Sequence, residues 1–106
     1  MSIFGTVSGK QVDDFAIALA RELAEQFPPS QAAGEAPARS GAKKLVATLD
    51  ALFGKAMAFR TQHKLGVYKK ARLGNAFRWE LQALGYEKAF VEDVTQRLVV
   101  FIARKS

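Results

Sequence analysis

The stretch KLGVYKKARLGNAFRWELQALGY, residues 64–86, decides the fold. Within it Leu73, Phe77, Leu81 and Leu84 recur three and four residues apart, the spacing that stacks side chains on one face of a helix. A glycine follows an apolar residue at each end, Leu65-Gly66 and Leu84-Gly85, and glycine takes the left-handed conformation that stops a helix. The reading is a helix over 67–84 held between two tight turns. At Gly66 the left-handed residue would be the glycine itself, with Val67 supplying the apolar contact beyond it. The Gly74-Asn75 pair offers a break in this helix, because asparagine starts helices well and glycine ends them.

Upstream of Gly66, Leu45, Leu49, Leu52, Phe53, Ala56 and Phe59 form another apolar stripe, which predicts a helix over 42–65. Further back, Val12, Phe15, Ala16, Leu19, Leu23 and Phe27 give the clearest amphipathic pattern, over 8–27. Ser8 and Gln11 have the spacing of a capping box, and Pro28-Pro29 halts the helix. Ile3, Phe4 and Val7 before it suggest a short extended segment or loop. Residues 28–41, PPSQAAGEAPARSG, hold no large apolar side chain and read as a Pro/Ala/Gly linker. A linker of that length would also let the first helix dock on another chain. Downstream of Gly85, Phe90, Val91, Val94, Leu98, Phe101 and Ile102 place a last helix at 87–104, with a terminal strand at 98–102 as the minor alternative. Four apolar stripes in 106 residues predict an all-α fold, a small bundle of about four helices around one core.

Composition narrows the function classes. The absence of cysteine removes disulfides, thiolate metal sites and cysteine nucleophiles. His63 is the one histidine, and it shares a helical side with Leu45, Leu52, Ala56 and Phe59. A half-buried ring near a helix C-terminus is the expected role. The five serines, at 2, 8, 30, 40 and 106, fall at termini, caps or the linker, so no catalytic triad assembles. The glycines of Gly5-Thr6-Val7-Ser8-Gly9-Lys10-Gln11 are one residue too close for a phosphate loop, and Gln follows the lysine where Ser or Thr is required. Glu22, Glu25, Glu92 and Asp93 lack the Glu-x-x-His pattern of di-iron bundles. The reading is a non-enzyme with no catalytic residue, cofactor or metal.

The longest apolar runs, Phe15–Ala20 and Leu98–Ala103, are six residues each, against about 20 for a membrane span. With no basic residue before Lys10 and no long apolar core, the N-terminus does not read as a secretory signal. A soluble, cytoplasmic protein with no membrane partner is expected.

The net charge of +6 is unevenly placed. Residues 1–35 carry two basic groups against five acidic ones, residues 36–79 ten against Asp50 alone, and residues 80–106 four against four. Such asymmetry points to an anionic partner, unless the acidic first helix lies across the basic segment and neutralises it. The basic stretch coincides with a second stripe on the 67–84 helix, where Tyr68, Arg72, Asn75 and Trp79 share a side away from the core. Lys64, Lys69, Lys70, Arg72, Asn75 and Arg78 are therefore the candidate surface for an anionic partner, with Tyr68 and Trp79 as aromatic anchors. Arg and Asn read base edges and aromatics stack on unpaired bases, so nucleic acid is the leading expectation. The alternative is a protein–protein interaction or homo-oligomerisation module, since Tyr, Trp and Arg also dominate protein interfaces. A helix-turn-helix centred on Gly66 fits poorly, because it would turn Arg72 and Asn75 inward.

Overall fold

A computed structural model of the chain describes residues 7–32 and 39–104. It contains helices α1 (Gly9–Gln26), α2 (Pro29–Ala32), α3 (Arg39–His63), α4 (Val67–Leu84) and α5 (Lys88–Ala103). Four long helices form an all-α bundle, and no strand occurs among the described residues. Part of the N-terminal segment, residues 1–6, and the middle of the expected linker, residues 33–38, lie outside the described residues.

α1 starts on the capping box read from the sequence. Gln11 N–H donates to Ser8 Oγ at 3.1 Å, and Ser8 N–H donates to Gln11 Oε1 at 2.9 Å. Its C-terminus is the buried Phe27, ahead of the two prolines. The linker differs from expectation. Its start forms the single turn α2, because Pro29 has the φ of a first helical residue and lacks only an N–H that would be unpaired there. Its end belongs to α3, which begins at Arg39 and runs on through the good helix formers Ala42, Lys43, Lys44 and Leu45.

The turn between α3 and α4 also corrects the sequence reading. The left-handed residue is Lys64, at φ 51°, and Gly66 is the extended N-cap of α4 at φ −83°. Lys64 N–H donates to the Thr61 carbonyl and Leu65 N–H to the Arg60 carbonyl, the two bonds of a Schellman motif. Leu65 is the apolar residue buried behind it, while Val67 is 85% exposed. The gain from burying Leu65 outweighs a left-handed lysine, which costs about 1 kcal/mol. The turn after α4 repeats the motif directly after its last apolar residue, Leu84. Gly85 is left-handed at φ 104°, Gly85 and Tyr86 donate to Gln82 and Leu81 carbonyls, and Tyr86 is buried.

Helix directions follow from the contacts. Asp13 meets Arg72, Arg21 meets Glu80, and Tyr86 donates to the Phe27 carbonyl, each pair 59 residues apart, so α1 and α4 run parallel. α3 runs antiparallel to α1, with Phe15 stacked on Phe59 at 4.0 Å and Lys55 paired with Glu22. α5 runs antiparallel to α4, with Val99 beside Gly74 and Glu92 beside Arg78. α1 and α5 each pack on both α3 and α4, which places the consecutive helices α3 and α4 on a diagonal. The core between them is closed by Leu23, Leu52, Phe77, Leu81, Leu98 and Ile102, all at 1% exposure or less.

α4 is one unbroken helix through Gly74-Asn75. Gly74 is buried because α5 approaches there: a Cβ at this position would lie 2.5 Å from Val99 Cγ2. Its missing side chain serves close packing, which is a tertiary reason for a residue that reads locally as a helix breaker.

Candidate functional site

Parallel packing of α4 on α1 leaves an open groove of about 820 Å³ along the outer seam of the two helices. Tyr68, Arg72, Asn75 and Trp79 all line it, as their shared helical side requires. Tyr68 and Trp79 are 69% and 59% exposed, and they stand three turns, or about 16 Å, apart along α4. Ala71, Ala76 and Ala83 keep the wall between and beyond them low, and Ile17 faces them from α1. Most of the groove surface is apolar.

The cations of the expected surface are largely engaged within the chain. Arg72 Nε and Nη2 donate to the two Asp13 carboxylate oxygens, both at 2.9 Å, and Nη1 donates to the Tyr68 hydroxyl at 3.3 Å. Its guanidinium lies over Gly9, where a Cβ would fall 2.4 Å from Nη1. This fork-to-fork pair lowers the Asp13 pKa, chiefly through the hydrogen bonds from Arg72, and raises that of Arg72. Arg78 pairs with Glu92 at 2.8 Å, and its guanidinium carbon sits 5.5 Å from the Trp79 ring centroid. Lys69 donates to the Val7 carbonyl. Lys64 projects from its turn, Lys70 is half-buried, and no ion pair to either occurs among the described residues.

The groove therefore has a mixed but compensated rim. Asp13 is answered by Arg72, and Glu80, on the same wall, is answered by Arg21 at 2.9 Å. Farther round α1, Glu22 pairs with Lys55. The acidic first helix lies against the basic segment, so part of its charge is neutralised inside the molecule. Sequence reasoning found the α4 side of the groove and missed Asp13, Ile17 and Glu80. A faint signal exists: Asp13 and Arg21 are eight residues apart, as are Arg72 and Glu80, with the signs reversed. Nothing local says that the two pairs meet.

His63 is half-buried, with its ring 4.5 Å from Phe59, consistent with a packing role at the end of α3. Among the described residues no group of three or more His, Asp or Glu is placed to hold a metal ion. No helix among them is long and apolar enough to cross a membrane. No protein-family model matches the chain, and no significant similarity was found to a curated protein or to a solved structure.

Proposed function

We propose that the chain is a non-enzymatic interaction module that receives a protein partner in the α1/α4 groove. The observation that carries this reading is the exposure of Tyr68 and Trp79 in one apolar groove whose charged rim is already paired. An exposed aromatic costs the free protein apolar surface in water. Covering the exposed part of an indole, on the order of 100–150 Å², contributes about 3 kcal/mol, the scale of an interface hot spot. A phosphate, by contrast, would have to draw Arg72 out of a bidentate pair and leave the half-buried Asp13 uncompensated.

The test uses a photo-crosslinking amino acid at position 75, in the groove, and at position 58, which is exposed on α3. Protein adducts formed in cells at position 75, absent at 58 and lost on Trp79→Ala, are the expected result. The absence of any Trp79-dependent adduct refutes the reading.

A second reading, binding of nucleic acid, draws on Lys64, Lys69 and Lys70 around the start of α4, within a run of residues 51–79 that holds no acid. It requires an affinity for a generic duplex or single strand that falls steeply with salt and is lost when these lysines become glutamates. No binding at low salt would end it.

A further inference from the structure

We infer that the occupant of the α1/α4 groove is a second copy of this chain, docked antiparallel about a two-fold axis that passes beside α4, level with the midpoint of Asn75 and Ala76. The inference rests on the groove being a protein-docking site and names its partner.

The chain carries +6, so two copies repel except where a face has no net charge. The groove is such a face, because Asp13 offsets Arg72 and Glu80 offsets Arg21 within each copy. A strongly acidic or basic partner finds no opposite patch there, whereas a neutral copy of the same surface brings no unpaired charge into the contact.

The order of residues along α4 is self-complementary. A two-fold axis pairs positions at equal distances on either side of it. About the midpoint between 75 and 76, Tyr68 falls opposite Ala83 of the other copy, Trp79 opposite Arg72, Ala71 opposite Glu80, and Asn75 opposite Ala76. Each ring thus meets a methyl group or a guanidinium face. No pairing sets like charges together, and each long side chain faces a short one or an aromatic plane. The registers one turn away lack this property. A midpoint at Arg72 opposes two guanidiniums, and a midpoint at Trp79 opposes two indoles while leaving both Tyr68 rings without a partner on the described length of α4.

Ile17 stands beside the stripe on α1, so it borders the face on which the two α4 helices meet. Four partly exposed rings and two isoleucines then lie in one contact.

The absence of cysteine makes the geometry directly testable on the full chain. In the Asn75→Cys variant two identical thiols sit next to the axis, within reach of a disulfide. Mild oxidation is expected to link this variant into a covalent dimer, at least about tenfold faster than Ala58→Cys on α3. Adding Trp79→Ala to Asn75→Cys should remove the difference. Sedimentation of the unmodified protein from about 1 µM to about 1 mM should show a dimer that Trp79→Ala weakens by at least about tenfold. Circular dichroism checks that each variant keeps its helices.

Two results overturn the inference: a strict monomer across that range, or a dimer in which position 75 cross-links no faster than position 58. If the purified protein is monomeric but position 75 still forms Trp79-dependent adducts with a different protein in cells, the second copy is refuted and the docking groove stands. A monomer that forms no such adduct refutes both.

Discussion

Replacing Gly74 by alanine should destabilise the protein, although alanine is the better helix former by about 1 kcal/mol in a helix interior. The new methyl would sit 2.5 Å from Val99 Cγ2, where carbon atoms at ease lie about 3.5–4.0 Å apart. Relief of at least 1 Å must come from moving α5 or from forcing Val99 out of its preferred rotamer, and a β-branched side chain in a helix has little freedom to turn. Overpacking of this kind costs about 1–3 kcal/mol, so the net effect of Gly74→Ala is a loss of about 1 kcal/mol. In a Val99→Ala background the obstructing methyl is gone, and the same substitution should become stabilising by about 0.5–1 kcal/mol. Urea unfolding of the four proteins in this cycle, followed by circular dichroism and by fluorescence of the single tryptophan, measures both values. A shift of 1 kcal/mol corresponds to about 4–8 °C in Tm for a domain of this size. The reversal of sign is the decisive feature. If Gly74→Ala stabilises both backgrounds equally, α5 does not approach α4 at this residue, and the packing account is wrong.

Other perturbations probe separate parts of the structure. Asp13 has a lowered pKa, so the stability it contributes is present above the unfolded value of about 4 and is lost as pH falls through the lowered folded value. The difference in urea midpoint between wild type and Asp13→Asn should therefore be clear at pH 7 and close as pH falls through the lowered folded value; a constant difference would refute the Arg72 pairing. Burial pushes Tyr86 up to about 12, so the unfolded chain ionises first, and stability should fall between about pH 10 and pH 12 by up to about 3 kcal/mol. Tyr86→Phe should cost about 1 kcal/mol at pH 8, from the lost bond to the Phe27 carbonyl, and should lack that tyrosine-linked fall. Thr95 buries a hydroxyl that has no hydrogen-bond partner among the described residues. Thr95→Val should raise stability by about 1 kcal/mol in the same unfolding assay, and a loss would mean that the hydroxyl is satisfied.

The periodic part of the fold was legible. Leu73, Phe77 and Leu81 lie in the core because their spacing leaves them no other common direction, and the same rule put Tyr68, Arg72, Asn75 and Trp79 on one side. What a residue does when its role is set by a distant neighbour was not legible. Gly74 looks like a breaker until Val99 is placed beside it, and Arg72 looks available until Asp13, 59 residues away, takes both arms of its fork. The α3–α4 turn shows the same limit on a smaller scale. Local preference favours Gly66 for the left-handed position, but burial of Leu65 decides it for Lys64. The nature of the candidate site thus hung on α1, which brings Asp13 and Ile17 to the groove and none of the pattern that revealed it.

The constant offset of 59 residues between α1 and α4 also sets an order of assembly. The α4–α5 hairpin closes through a three-residue turn, while the α1–α4 seam must close over a segment more than ten times longer, at an extra entropic cost of about 2 kcal/mol. Local pairs close at lower entropic cost than distant ones, which favours the α4–α5 hairpin forming ahead of the α1–α4 seam. Since the groove exists only while α1 is seated, its occupant and the docking of α1 are thermodynamically linked. Whatever fills the groove holds α1 in place by mass action, and detachment of α1 releases the occupant.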